Sequence, residues 1–235
     1  MRAPFTPCPL HLAETILEIA DRQADGSEKA YKLFKQHRPR HNRTHLSKAP
    51  KVGDKAPDGM LHLLSGGAST LHKQLKAMAT KSPKDAPPHV ALVFGSRTCP
   101  VWIAVTATLA MTEFAARGVP TLQIYTKEAN PSDTFPNRSN TDCNIVINQH
   151  TALEQRLAAA ASAAEELQRQ LKGSVPVLMG VDGMDDQLES MYESIPNRLY
   201  VIKTTDMTIS YASNLGPLNP TGKVNDGLAS LANVR

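Results

Sequence analysis

A chain of 235 residues with 41% hydrophobic and 20% charged side chains carries enough apolar material for a packed core and is unlike a disordered polymer. Its formal charge of +4 is mild and much of the excess precedes residue 56, which gives a weak pull on anions and predicts no nucleic-acid function. No apolar run approaches the roughly 20 residues of a membrane span, and the N-terminus lacks the apolar core of a secretory signal, so the expected location is cytoplasmic with no membrane partner.

In chain order, apolar spacing predicts one or two helices over 10–36, broken at Asp25-Gly26-Ser27, and the breaker-rich stretch 37–59 reads as an exposed linker. The division expected is a helical extension with a basic linker over 1–50 and a folded domain over 51–235. From residue 60 strands and helices alternate: a strand over 60–64, a Ser65-Gly66-Gly67 turn, a helix over 69–78 and a loop over 83–88. The apolar run 89–94 predicts a strand covered on both faces. A tight turn over 95–100 then leads into a helix over 101–116, closed by Arg117-Gly118. A buried strand is expected over 119–125, a helix over 151–171, a strand over 175–181 and a short helix over 187–192. A hairpin over 198–203 and 208–212 and a closing helix over 226–232 complete the pattern. That order predicts an α/β fold, a mixed central sheet with helices on both faces.

Cys99, at the junction of the 89–94 strand and the following helix, is the candidate nucleophile. A thiol at the first helical turn feels unpaired backbone N–H groups and the positive end of the helix dipole, both of which favour thiolate. Pro100 suits the first helical position because its missing N–H would be unpaired there. Arg97 could add positive potential, and Ser96 and Thr98 supply hydroxyl groups. The competing reading is a buried, inert cysteine. The other two cysteines, Cys8 and Cys143, form neither a CxxC nor a zinc knuckle with it, and Cys143 is the internal candidate for a resolving thiol.

The loop 126–133 follows the carboxyl end of a buried strand, where open sheets place ligands. Glu128 and Asn130 could bond a ligand there, with Ser132 beside them; otherwise Asn130-Pro131-Ser132-Asp133 is a plain turn. His150 precedes a helix and could bind a polar group or move protons, or simply mark a helix edge. His37, His41 and His45 invite a metal reading, which the interleaved arginines and Pro39 oppose; no metal and no bound cofactor are expected. Trp102 and the Ala-rich stretch 157–164 read as core.

Four stretches resemble one family in order and at near-family spacing, across about residues 51–232. Val93-Phe94-Gly95-Ser96-Arg97-Thr98-Cys99-Pro100 and Tyr125-Thr126-Lys127-Glu128-Ala129-Asn130-Pro131-Ser132-Asp133 are similar to the FGSxTUPP (U, selenocysteine) and YIxEAHPSD segments of the iodothyronine deiodinases. Gln149-His150-Thr151-Ala152-Leu153-Glu154-Gln155-Arg156 resembles their IPQHxxLExR segment, and Arg198-Leu199-Tyr200-Val201 their ERLYV strand. The resemblance implies a thioredoxin-like, peroxiredoxin-related fold and reductive dehalogenation, with Cys99 as nucleophile, Glu128 as the loop carboxylate and His150 as the helix-edge histidine. It implies a small aromatic substrate, halogenated in the family, and an external thiol reductant; a homodimer is compatible with it. In such folds a cis-proline faces the redox cysteine, and Pro196, just before the 198–203 strand, holds that place. Cysteine stands where the family has selenocysteine, Asn130 where it has a histidine, and the stretch 209–217 lacks the family's arginine. Two alternatives stay open: a peroxiredoxin-like peroxidase, favoured by Ser96 three residues before Cys99 and opposed by Leu92, and a non-enzymatic binding module.

Overall fold

The computed structural model describes residues 49–83, 88–137, 140–141, 143–214 and 220–231. The expected helices over 10–36, the extension 1–50 but for its last two residues, Cys8 and the three linker histidines lie outside them. The chain enters through β1 (Met60–Leu63) and β2 (Ala68–Thr70), joined across a turn in which Gly66 and Gly67 hold φ of 96° and 78°, a region that penalises any residue with a Cβ. Helix α1 (Leu71–Ala79) follows at once, the Thr70 hydroxyl accepting the Lys73 N–H at 3.3 Å, as an N-cap does. The predicted helix over 69–78 therefore starts two residues late, because Ser69 and Thr70 pair with Leu61 and Met60.

Strand β3 (His89–Gly95) is buried along its whole length. After Cys99 the chain turns helical at Pro100, widens into a π-helical turn at Trp102–Thr106, and continues as α2 (Ala107–Ala115). The remaining elements are β4 (Thr121–Tyr125), α3 (Leu153–Gln170), β5 (Leu178–Asp182), α4 (Gln187–Tyr192), β6 (Arg198–Lys203), β7 (Thr208–Ala212) and α5 (Pro220–Ser230). The seven strands form one sheet in the order β2-β1-β5-β4-β3-β6-β7. Its centre, β5-β4-β3, is parallel, and β1, β6 and β7 add antiparallel flanks.

Alternation along β3 sends its side chains to two cores. Val90, Leu92 and Phe94 pack with Leu71 and Leu75 of α1 and Leu188 and Tyr192 of α4. Ala91 and Val93 face Phe114 of α2, Ala163 and Leu167 of α3, and Val224 of α5. A strand buried on both faces needs a continuous apolar run, so the sequence signal and the position agree.

Two expectations need correction. The described end of the 37–59 linker is not a free loop: Gly53 donates to the Ile209 carbonyl and Ala56 to the Met207 carbonyl, Ile209 donates back to Asp54, and Ala56 is buried. Backbone pairing, which asks nothing of side-chain type, holds this polar stretch against β7. The closing helix begins at Pro220, six residues before the expected start. Pro220 and Gly222 read as breakers, yet a proline is tolerated in a first helical turn.

Candidate functional site

Cys99 sits where β3 ends, its N–H donating to the Ser96 carbonyl at 3.0 Å and its own carbonyl accepting from both Trp102 and Ile103. The widening itself lies one turn on, where the Ala107 N–H reaches back five residues to the Trp102 carbonyl, a form that recurs at functional positions. Close approach makes this junction possible: a Cβ on Gly95 would stand 2.2 Å from the Trp102 ring. The thiol is 2% exposed. Burial pushes it above its ordinary value; the Trp102 N–H, the Asn197 amide, the Lys223 charge and the Val101 N–H pull the other way. The helix terminus thus acts in the expected direction, but desolvation outweighs it.

Glu128 organises the loop beyond β4. Buried to 2% exposure, its carboxylate accepts the Thr98 N–H at 2.9 Å, the Thr98 hydroxyl at 2.5 Å and the Tyr125 hydroxyl. A carboxylate enclosed away from water needs such donors. The same oxygen that meets Tyr125 lies 3.5 Å from His150 Nε2. Burial lowers the His150 pKa, with the Glu128 charge opposing and Arg156 reinforcing. Burial first, then the Glu128 charge, drive the Tyr125 phenol well upward. The chain of contacts runs from Arg97 N–H to the Tyr125 oxygen (3.1 Å), on to Glu128, and back to Thr98 beside the thiol.

The structure brings together most of the predicted residues but gives several of them positioning contacts. Ser96 accepts the Ala129 N–H at 2.9 Å, tying the Cys99 turn to the loop. Asn130 donates through Nδ2 to the Thr98 carbonyl at 2.8 Å, and its N–H reaches the Thr98 hydroxyl oxygen at 3.0 Å. Asn140 donates to the same carbonyl at 2.9 Å. Ser132 exchanges two hydrogen bonds with Ile147, clasping the far end of the loop. Arg97 is buried, its pKa lowered by desolvation while Glu166, Tyr125 and Glu128 oppose; the cation acting on the thiol is Lys223. Pro196 follows a cis Ile195–Pro196 bond and is buried, and the next residue, Asn197, reaches the sulfur with Nδ2 at 3.8 Å. Cys143 is disulfide-bonded and so presents no thiol as it stands; Cys99 is free.

Sequence reasoning missed Tyr125, Gln149, Asn197 and Lys223. Gln149 holds the loop backbone, accepting the Glu128 N–H and donating to the Glu128 carbonyl. Asn197 could have been found from its place directly after the proline already singled out. Lys223 was hidden because its helix was expected to begin beyond it. Among the described residues no group of three or more His, Cys, Asp or Glu is placed to hold a metal, and no helix is long and apolar enough to cross a membrane.

The parallel core with antiparallel flanks, helices on both faces and a cis-proline beside a helix-terminal cysteine is a thioredoxin-like fold. Among solved structures the chain is similar to an uncharacterized conserved protein of Geobacillus kaustophilus (17% identity, TM-score 0.48, covering 77% of this chain and 82% of that one). It is also similar to the peroxidoxin BcpB of Mycobacterium tuberculosis (14%, TM-score 0.48, 79% and 98%). In sequence it is 38% identical over 129 residues to a thyroxine 5-deiodinase of Rattus norvegicus and 37% identical to that of Homo sapiens. Each match takes in 54% of this chain and 38% of the relative, so the chain spans well under half the length of these relatives. A type I iodothyronine deiodinase of Xenopus laevis matches at 32% over 96 residues, 41% of this chain and 33% of that one. The family model described as iodothyronine deiodinase matches residues 33–224, a stretch that contains every residue of the site above, and the chain belongs to that family.

Proposed function

We propose that this chain is a thiol-dependent oxidoreductase that removes halogen reductively from a small aromatic substrate, with Cys99 as nucleophile and an external thiol as reductant. The observation that carries this reading is the buried Thr98–Glu128–Tyr125–His150 cluster, anchored on the residue immediately before the cysteine. A structural cysteine needs no such neighbour, and a family named for deiodination supplies the reaction class. The Cys99 thiolate attacks the halogen; an S–halogen bond forms as the carbon–halogen bond breaks, and the electron pair left on the ring carbon takes up a proton. His150, 3.5 Å from Glu128, is the titratable group we assign to supplying that proton. A first external thiol attacks the sulfur, displacing halide and leaving a mixed disulfide. A second releases Cys99 as thiol. In sum, aryl halide and two thiols give arene, hydrogen halide and one disulfide. A reducing compartment such as the cytoplasm would provide the thiol.

The test is halide release from iodinated phenols with a dithiol reductant, run beside hydrogen peroxide consumption. Iodide release that disappears in Cys99→Ser supports the proposal. Peroxide consumption without halide would replace it with a thiol peroxidase, and neither activity would leave a binding module.

A further inference from the structure

Lys223 is a buried cation that the chemistry above does not use. It lies on α5 at 5% exposure, on the face that carries Val224, Gly227 and Leu228 into the core. Burying an ammonium among such residues is costly, and a methionine would fill the same volume without that cost. Its Nζ donates to Asn197 Oδ1 at 3.2 Å, and Nδ2 of the same amide faces the Cys99 sulfur at 3.8 Å. The chemistry fixes the amide's orientation. In the ion-pair state an ammonium has only donors and a thiolate only accepts, so the carbonyl end then faces Lys223 and the NH2 end the sulfur, as the structure has them. An NH2 group aimed at sulfur favours thiolate over thiol.

We propose that Lys223 is the counter-cation of the Cys99 thiolate, coupled to it through Asn197, and thus the positioning residue for nucleophile formation. The inference rests on Cys99 being the nucleophile as proposed above. When the thiol ionises, its proton is held on Nζ: S–H and NH2 become S⁻ and NH3⁺, with no change in the net charge of the buried pair. Burial pushes the Lys223 ammonium down to about 7, with Cys99 opposing and Arg198 reinforcing, and the same burial pushes the thiol up. The two groups therefore titrate as a coupled pair. Among the charged groups around it, Arg198 on β6 acts on Lys223, while on the other side of the turn Glu128 is bonded to Tyr125 and the Arg97 charge acts on that phenol. From α2 and its π-helical turn the neighbours are apolar, Trp102 and Ile103.

The experiment is the pH dependence of Cys99 alkylation by iodoacetamide in the full chain, read on the Cys99 peptide by mass spectrometry so that other cysteines do not contribute. Lys223→Met should move the midpoint upward by about one pH unit or more, a tenfold loss of thiolate at fixed pH, while Lys223→Arg stays near wild type. A superimposable Lys223→Met profile overturns the proposal. Should Lys223→Met fail to fold, the reciprocal measurement decides. In Cys99→Ser, with lysine labelled for ¹³C NMR, the Lys223 titration should fall relative to wild type, and an unchanged value overturns the coupling. Both readings are made without substrate. A shifted midpoint in a protein that releases no halide would thus refute the dehalogenation reading and leave the pair standing.

Discussion

Three side-chain and backbone donors converge on Glu128, so its charge matters more than its shape. In Glu128→Gln the amide NH2 would face at least one donor across a hydrogen-bond distance. We expect a stability loss of ~1–3 kcal/mol, the cost of an unsatisfied buried polar group, measured by urea denaturation, and a fall in any Cys99-dependent turnover. Asn130 makes the opposite case. Its amide turns inward to the Thr98 carbonyl, which Asn140 also serves. Asn130→Ala should therefore cost only about 1 kcal/mol while leaving the Cys99 alkylation profile in place; a collapse of that profile would show that Asn130 sets the geometry of the thiol. His150 adds a pH signature. Its folded-state pKa lies below the ordinary 6.5, so the unfolded chain binds the extra proton first, and its share of stability is lost as pH falls through and below 6.5. His150→Gln should flatten that part of a Tm-against-pH curve.

At the level of elements, the junction of β3 and the helix depends on Gly95. The Trp102 ring occupies the place of a side chain, 2.2 Å from an added Cβ, and the ring is itself fixed edge-on against Tyr125 at 6.0 Å. Gly95→Ala should destabilise the fold by about 1–3 kcal/mol or more through overpacking and disturb Cys99 alkylation with it, measured together by thermal melts and mass spectrometry. Much of this level was legible in the sequence. The buried run of β3, the hairpin Arg198–Lys203 and Thr208–Ala212, and α4 at Gln187–Tyr192 follow from periodicity and turn residues. So did Cys99, whose place between a strand and a proline is a local signal. The π-helical turn was not legible, because it rests on a backbone bond spanning five residues, Ala107 N–H to the Trp102 carbonyl, and no residue type encodes that. Nor was the start of α5, where Pro220 and Gly222 mask a helix held by packing of Val224 and Leu228 on the core. Lys223 disappeared from view with that first turn.

For the whole molecule, the buried Lys223 leaves a mark on the stability curve. With Cys99 in its thiol form, burial holds the Lys223 pKa at about 7 against an ordinary 10.5, so between those values the native state binds fewer protons than the unfolded chain. Stability from this group accordingly rises with pH from about 7 to 10.5, and the penalty is fully present below 7. Lys223→Met should raise Tm most in mildly acidic buffer, with the advantage shrinking toward pH 10; a residue serving only as scaffold would lower Tm at every pH.

The polar segment 51–56 lying along β7 also has a bearing on how copies of this chain can meet. It occupies the hydrogen-bonding margin that β7 would otherwise offer, and the opposite margin, β2, is three residues long. Exposed strand margins are the usual template for runaway strand-to-strand growth. Among the described residues this sheet is hemmed on one side and too stubby on the other to propagate, so its strand margins give growth of that kind no template.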